Sequence, residues 1–495
     1  MWRTSSSDIK LTNIFRFTDK KIHPSWLIAW AGLGILVGTS ASLYLSWFTG
    51  LEWLIVAVCL GIVGFINKSY LSVFLVLLAG LLLGFYRGGV ELQSQLEYQK
   101  YINEEVIASG VVSEDPTFDT DGDVRLKLKN VEIEGSEASG ILWVGTEGDV
   151  LIKRSDFVTV QGRLTEGFGN IPAAIFRARV VAVERQDYAD VGRDTRDWFA
   201  EGIRASIREP EASLGAGFLL GQKTVLPEKL DNELQLLGLT HIVVASGYNL
   251  TILIRFARRF LVKISRFTAL AGSFALVYWF LQITGNSPSM TRASLIAVIS
   301  LFAWYYGRKL HPIVLLSFSA ALTVVINPSY AWGDIGWLLS FTSFIGVIML
   351  APLLQSYFWG DSKPGNIRQV FVETLSAQAL TLPIIAYVFG QYSPLSLVAN
   401  VLILPLIPIA MALTAVAGLA GVILPVGQQI IGLPAEFVLR YMTAVVNYLA
   451  QLPLASAEIV FTFTTVIVSY IAIFTFMLHM WRKTGYQFRT YNVIE

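Results

Sequence analysis

The sequence predicts a mainly α-helical, polytopic membrane bundle of about 10 to 11 transmembrane helices, with a small OB-like β-barrel domain inserted outside the membrane. Of the 495 residues, 54% are hydrophobic and only 15% are charged. Several apolar runs are long enough to cross about 30 Å of hydrocarbon. After the first three apolar runs, hydropathy falls, and apolar and polar residues alternate with a period of two. The first two observations predict the bundle, and the third predicts the inserted barrel.

Charge and cysteine usage exclude several classes of protein. The net charge of +1 gives no general attraction to nucleic acid or another acidic partner, so charge must be interpreted locally. Cys59 is the single cysteine, which excludes a disulfide within the chain. The four histidines are scattered, and none belongs to a cluster with metal-ligand spacing: His23, His241, His311 and His479. We therefore expect no catalytic metal and no cofactor.

The N-terminal part predicts a membrane module. Residues 1–25 are polar and basic, and three apolar runs follow within 26–87, at 26–47, 52–66 and 69–86. The first run is too long for the apolar core of a signal peptide, and two more runs follow it. The positive-inside rule places the N-terminus in the cytoplasm. Three crossings then place the next segment on the outer face.

Residues 88–187 predict the β domain. Strand-like runs such as VRLKLKNVEI and AIFRARVVAVE are separated by Asp/Gly turns and by GFGNIP. Five short strands in about a hundred residues predict a closed barrel of the OB type.

Such a barrel binds single-stranded nucleic acid through aromatic and basic side chains. The candidates are Trp143, Phe157, Phe168, Phe176, Arg163, Arg177 and Arg179. The alternative is that these aromatic residues form the barrel core. Acidic residues outnumber basic ones in this segment, so a DNA-binding surface must be local.

Residues 188–236 predict amphipathic linker helices. Trp198, Phe199, Ile203 and Ile207 fall on one stripe of a helix over 191–208, which we interpret as an interfacial helix leading back to the membrane. The glycines that follow do not form a phosphate-binding loop, so they predict tight packing.

The remaining chain, 237–481, predicts the main bundle, followed by a cytoplasmic tail at 482–495. It opens with Ser246, Gly247, Tyr248 and Asn249, four polar or small residues in an apolar run. An unsatisfied polar group in hydrocarbon is unfavourable, so these residues should face protein or water. The later basic loops all fall on one side when the apolar runs alternate in direction. Between 396 and 456, Pro405 and Pro408 predict either one bent span or a discontinuous pair.

Polar residues at membrane depth mark candidate pathways. For Arg292 and Glu373 the alternative is a structural ion pair or a side chain that reaches the interface. For Gln378 and Asn400 the alternative is hydrogen bonding between helices. Asp334 lies near a helix start, where we expect it to act mainly as a cap.

Four segments resemble the ComEC competence family, in the same order. They are GFLLGQKTVLPEKLDNELQLLGLTHIVVASGYNLTIL, SMTRASLIA, WGDIGWLLSFTSFIGVIML and SAQALTLPIIAYVFGQYSPLSLVANVLILPL. Together with the preceding modules, the resemblance spans nearly the whole chain. Where the family usually has Ser-Gly-Leu-His, this chain has Tyr248 and Asn249, and an amide hydrogen-bonds but does not titrate. The metallo-β-lactamase-like domain of many members is missing from this sequence, so we expect no nuclease activity and no enzyme activity.

The resemblance implies a multi-pass channel in the cell membrane that translocates single-stranded DNA during natural transformation, with both termini in the cytoplasm. Its candidate DNA path comprises Ser246, Gly247, Tyr248, Asn249, Arg292, Asp334, Glu373, Gln378 and Asn400. The implied partners are single-stranded DNA, an external DNA-capture apparatus, a cytoplasmic helicase or single-strand-binding proteins, and a separate nuclease, all in the setting of the lipid bilayer. Two alternatives are a transporter or export channel for another polymer or solute, and a non-transporting membrane scaffold.

Overall fold

The protein is described by a computed structural model, which places residues 22–45, 47–118, 123–147, 152–185, 190–222, 226–243, 246–285, 287–308, 311–360, 362 and 364–486. The described residues form two compact units. One contains the residues up to Leu96 together with Ile313–Gly333, and the other contains Glu97–Pro312 and the chain from Asp334 onward. The sequence did not predict that Ile313–Gly333 would group with the N-terminal helices.

The helices and strands are numbered in chain order. The helices are α1 (Pro24–Ala41), α2 (Leu51–Asn67), α3 (Tyr70–Gln99), α4 (Val191–Ser206), α5 (Glu211–Leu220), α6 (Glu228–Leu236), α7 (Thr240–Val243), α8 (Gly247–Leu261), α9 (Arg266–Thr284), α10 (Pro288–Tyr305), α11 (Pro312–Ile326), α12 (Ile335–Ile345), α13 (Ala351–Trp359), α14 (Asn366–Val388), α15 (Ser396–Ile403), α16 (Ile407–Ile423), α17 (Gln428–Ala450) and α18 (Phe463–Thr484). The strands are β1 (Glu105–Val112), β2 (Thr117–Phe118), β3 (Val124–Ile133), β4 (Ser136–Ala138), β5 (Leu142–Thr146), β6 (Phe157–Glu166), β7 (Ala173–Glu184), β8 (Gln391–Tyr392) and β9 (Ala457–Glu458).

The predicted barrel is confirmed. Its ring runs β1–β6–β7–β5–β3 and closes through pairing of β3 with β1. All these pairings are antiparallel except β5 with β7, which is parallel. This order is that of a five-stranded OB barrel. Alternate residues of β3, including Val124, Leu126 and Leu128, are buried in the core because successive strand residues point to opposite faces.

The helix before the barrel is longer than the apolar run predicted. The run ends at residue 86, but α3 continues to Gln99. Tyr98, near its end, is 1% exposed and packs in the barrel core. The polar segment after the run is therefore helical, and its last turn is part of the β domain.

The predicted membrane bundle is also confirmed. Within the described residues, eight helical segments have the length and hydropathy of a membrane span, and several shorter apolar helices accompany them. The span Ser396–Ile423 is interrupted by a 3-10 turn at Leu404–Leu406, where Pro405 lies. One span with a 3-10 turn at Pro405 thus occupies the region that two prolines marked in the sequence.

The span that contains α12 and α13 has a π-helical segment at Gly346–Leu350. Pro352 follows it and has no N–H to donate to the carbonyl of Ile348, four residues earlier. Gly346 lies against the backbone of Ser376, where a Cβ would overlap the Ser376 carbonyl. Because π segments widen the helix locally, they often mark functional sites.

Helix α4 packs within the protein. Gly202 approaches the backbone of Gly418 on α16, and Ile203 is fully buried beside it. The sequence predicts an interfacial tether from this stripe, and in the structure Ile203 of the stripe contacts α16. Trp198, on the same stripe, is 54% exposed. The sequence pattern does not distinguish a helix at the membrane interface from a helix packed against another helix, because both have one apolar face.

Candidate functional site

The polar tetrad lies at the start of α8. Ser246 caps the helix, and its Oγ accepts a hydrogen bond from the N–H of Asn249 at 3.4 Å. Asn249 is fully buried, and its Nδ2 donates to the carbonyl of Phe218, the residue at which α5 nears its end, at 3.0 Å. Gly247 lies against Ala293 of α10. The start of α8 therefore contacts both α5 and α10.

Tyr248 points from the same turn towards the 3-10 turn at Leu404–Leu406. Its hydroxyl donates to the carbonyl of Leu404 at 3.4 Å, beside the break at Pro405. Glu373 on α14 accepts a hydrogen bond from Gln369, one turn earlier on its own helix, at 2.9 Å.

A second polar group joins α14 to α15. Nε2 of Gln378 donates to Oγ of Ser396 at 2.9 Å. Asn400 is 1% exposed, and its Nδ2 donates to the carbonyl of Ser396 at 2.8 Å. Gly238, in the turn before α7, approaches Ser396 as well. Gln378 therefore connects α14 to α15, which is the role that the sequence offered as its alternative, whereas Asn400 bonds within α15.

Arg292 lies on α10, in the second turn of the helix. Its guanidinium lies over two rings of α12, with Cζ at 5.5 Å from the ring centre of Phe341 and 5.8 Å from that of Phe344. The residue is 9% exposed, and its Nε has no hydrogen-bond partner among the described residues. No described carboxylate lies within ion-pair distance of it, so the structural ion pair that the sequence allowed is not formed within the described chain.

The free-energy cost of burying the Arg292 cation is therefore not offset by a counter-charge among the described residues. Burying an ion costs several kcal/mol even after relaxation, and a close counter-charge normally offsets the cost. Each cation–π contact contributes about 0.5–2 kcal/mol. The two rings thus stabilise the guanidinium only in part.

Asp334 links the barrel to the bundle. Its Oδ1 accepts a hydrogen bond from the N–H of Trp337 at 2.6 Å and so caps α12, as expected. Its Oδ2 accepts a second bond, from Nδ2 of Asn170, at 2.9 Å. Asn170 belongs to the loop between β6 and β7, the last two barrel strands in chain order. In OB barrels this loop is one of the two that contribute to oligonucleotide binding.

The same loop carries part of an aromatic cluster on the barrel surface. We define the barrel aromatic cluster as Trp143, Phe168 and Phe176. The ring centre of Trp143 lies 5.8 Å from that of Phe168 and 5.0 Å from that of Phe176. Phe168 and Phe176 are 48% and 52% exposed. Phe168 and Phe176 are therefore not barrel core, and Trp143 is half-buried against them. Phe157, the fourth predicted aromatic residue, is half-buried at the start of β6.

The predicted basic residues differ in their neighbours. Arg177, beside Phe176, is exposed and lies 3.7 Å from Glu147. Arg179 is exposed on the same strand. Arg163 is exposed too, and its Nε donates to the carbonyl of Asn103 at the opposite end of β6 from Phe157. Of the predicted arginines, Arg177 directly follows Phe176 of the barrel aromatic cluster, and the carboxylate of Glu147 lies near it.

Buried arginines hold the other side of the barrel against the helices. Arg154 donates through Nε and Nη2 to the two carboxylate oxygens of Asp190, at 2.7 and 2.9 Å. It also donates to the carbonyls of Gln282 and Ile283 near the end of α9, at 2.9 and 3.2 Å. Cations at a helix C-terminus interact favourably with its unsatisfied carbonyls. Arg196 of α4 pairs with Asp115 in the same manner.

The carboxylates in this region stay ionised to low pH. Burial opposes ionisation of Asp156, but hydrogen bonds from Arg185 and from the N–H of Lys153, with the charge of Arg193, hold the pKa of its carboxyl below its usual value. Burial likewise opposes ionisation of Asp190, and the bonds from Arg154 and from the Arg193 N–H lower its pKa. Each carboxylate is thus stabilised mainly by its arginines.

Five important residues were missed in the sequence: Asn170, Phe341, Phe344, Ser396 and Arg154. Phe341 and Phe344 are three residues apart, so they share one helix face, and that spacing was a signal that could have been used. The contacts of Asn170 and Arg154 join segments more than a hundred residues apart and left no local signal. Within the described residues, no group of three or more His, Cys, Asp or Glu side chains could hold a metal ion.

Together, these features define a multi-pass membrane protein with an OB-type barrel that is hydrogen-bonded to the start of a membrane helix. The chain belongs to the competence protein family, whose model matches residues 218–484, more than half of the chain.

One curated relative is ComE operon protein 3 of Bacillus subtilis (strain 168), which is 23% identical over 201 residues. The match covers 40% of this chain and 25% of that protein, so this chain spans about a quarter of its relative's length. No solved structure matches the chain.

Proposed function

We propose that this protein takes part in competence DNA uptake, as the channel that translocates single-stranded DNA across the cell membrane. Membership of the competence protein family supports the general role. The route through this chain is argued from its own residues. The barrel is on the outer face, and both termini are cytoplasmic.

The observation that carries the route is the hydrogen bond between Asn170 and Asp334. It fixes the loop that bears Phe168 at the first turn of α12. Phe341 and Phe344 follow on that helix, about 10 and 15 Å further along its axis at 1.5 Å per residue. Exposed rings on the barrel therefore lead to the rings that hold Arg292.

The chemistry of these groups suits a single strand. Bases stack on aromatic rings whatever their sequence, and each stacked base contributes about 1–3 kcal/mol. The barrel aromatic cluster offers such rings outside the membrane. A strand inside the bundle needs donors that replace phosphate hydration, and Arg292 is a cation at that depth. The described helices are closely packed around Asn249 and Asn400, so translocation requires that they separate.

The driving force comes from partners. In the described part of the chain, we assign no nucleotide-binding site, so we propose that an external capture apparatus delivers the strand. A cytoplasmic helicase or single-strand-binding proteins then retain it, and a separate nuclease removes the complementary strand.

The test is uptake of labelled DNA into a nuclease-protected cytoplasmic pool. Cells that lack the gene should fail to accumulate label, and the wild-type gene should restore it. The double variant Phe168→Ala/Phe176→Ala should restore uptake at least tenfold less well, because tenfold corresponds to about 1.4 kcal/mol of stacking. Val181→Ala is the matched control, since Val181 is 55% exposed on the same strand as Phe176. Full uptake in cells without the gene would overturn the proposal.

A further inference from the structure

The guanidinium of Arg292 is buried beside aromatic rings, and one donor on its edge is unpaired among the described residues. Its Cζ lies over the rings of Phe341 and Phe344, within cation–π distance of both. Aromatic rings accept no in-plane hydrogen bonds of the kind that guanidinium N–H groups donate. The Nε, which is one of these edge donors, has no partner among the described residues. The group is therefore held in position while part of its hydrogen-bonding capacity stays unused.

We propose that Arg292 binds a phosphodiester group of the translocating strand, as a single anion-binding point within the bundle. This inference rests on the proposed function and names the part of the strand that this residue recognises. A phosphodiester carries one negative charge and two non-bridging oxygens, which match the paired donors of a guanidinium edge. The two rings hold the guanidinium beside α12, and the unpaired Nε is one of the donors available to the phosphodiester.

Burial distinguishes the strand from lipid as the source of this phosphate. Arg292 is 9% exposed, and this exposure counts every surface that lipid could reach. Neighbouring protein atoms cover the side chain, so a headgroup at the bilayer surface does not contact it. The strand reaches Arg292 when α12 moves away from α10. The π segment at Gly346–Leu350, which begins two residues after Phe344, is where the regular α-helical hydrogen bonding of that span is interrupted.

The experiment measures oligonucleotide binding to the full-length protein in lipid nanodiscs. Two probes share one sequence, a natural single-stranded oligodeoxynucleotide and its uncharged methylphosphonate analogue. Arg292→Gln should weaken binding of the charged probe at least tenfold and change binding of the uncharged probe less than twofold. Arg292→Lys should lie between Arg292→Gln and wild type, because an ammonium keeps the charge but loses the paired donors. Arg259→Gln, which removes an exposed arginine of α8, is the matched control and should leave binding of both probes unchanged.

A second variant keeps the test valid if Arg292→Gln folds poorly. Phe344→Leu retains apolar bulk and leaves the cation in place. It should weaken binding of the charged probe several-fold, because the guanidinium is held less firmly. Equal loss for both probes, or wild-type binding in Arg292→Gln, would overturn the inference. Phospholipid that co-purifies with wild type and is lost in Arg292→Gln, with oligonucleotide binding unchanged, would assign the site to a lipid and also overturn it.

Failure of this inference is distinguishable from failure of the proposed function. If deletion of the gene abolishes uptake and Arg292→Gln restores it fully, only the role of Arg292 is wrong. If deletion leaves uptake unchanged, the proposed function itself is wrong.

Discussion

Asn170 in the barrel donates a hydrogen bond to Asp334 at the N-terminus of α12, with 2.9 Å between Nδ2 and Oδ2. The other oxygen of the same carboxylate caps α12. One side chain thus serves both the helix and its contact with the barrel.

The two roles of Asp334 can be separated by mutation. Asp334→Ala removes the cap and the barrel contact, and losing a cap costs about 0.5–2 kcal/mol. Asn170→Ala removes only the contact, so it should leave the unfolding temperature nearly unchanged and still lower DNA uptake several-fold. Uptake and thermal unfolding measured on both variants check this. Wild-type uptake in Asn170→Ala would show that the contact does not position the barrel for transport.

The Arg154 contacts predict a large effect on stability. Arg154→Gln leaves Asp190 buried without its main counter-charge, and breaking a buried pair in this way costs about 3–5 kcal/mol. We expect a marked fall in unfolding temperature and greater protease cleavage between barrel and bundle. Arg177→Gln, at an exposed pair of the same barrel, should change stability by less than about 1 kcal/mol. Equal stability of the two variants would mean that Arg154 contributes little.

The lowered pKa values predict acid sensitivity with a definite sign. The carboxyls of Asp156 and Asp190 have pKa values below the ordinary 3.8, so both bind fewer protons in the folded state than in the unfolded one. Their contribution to stability is complete above pH 3.8 and is lost as the pH falls through the folded values. Unfolding temperature should therefore decline below about pH 4, and less steeply in Asp156→Asn. An equal slope in both proteins would exclude Asp156 as a cause.

Close helix packing in the N-terminal unit gives a test that does not depend on transport. A Cβ on Gly80 of α3 would overlap the backbone carbonyl of Ala31 on α1. Gly80→Ala should therefore destabilise this unit by about 1–3 kcal/mol, as overpacking does. Gly61→Ala on α2 is the matched control, because its Cβ would lie 3.8 Å from that of Ala79, an ordinary contact. Thermal unfolding in lipid compares them, and equal stability would contradict the packing argument.

The sequence predicted the parts of this protein that have a local pattern. The strands of the barrel follow from the alternation in segments such as VRLKLKNVEI, and the spans follow from their apolar length. The cap at Asp334 follows from an acidic residue before an apolar helix.

The rest depends on contacts between distant segments. Whether Trp143 lies inside or outside the barrel depends on strand register, which composition does not reveal. For Arg292 the sequence offered an ion pair or a side chain that reaches the interface as the alternative to a pathway, yet its described neighbours are the rings of Phe341 and Phe344. The continuation of α3 to Tyr98 was missed because the polar turns after residue 86 have no apolar run. In each case a residue that is distant in the sequence but close in space determines the structure.

The most direct test of the account is to trap the strand inside the bundle. A photoreactive amino acid replaces Phe344 in one protein and Phe437, which is 77% exposed on α17, in another, and both are illuminated during uptake of labelled DNA. We predict DNA adducts at position 344, dependent on uptake conditions, and about tenfold fewer at position 437. Adducts at neither position, or equal adducts at both while uptake proceeds normally, would contradict a route past Arg292.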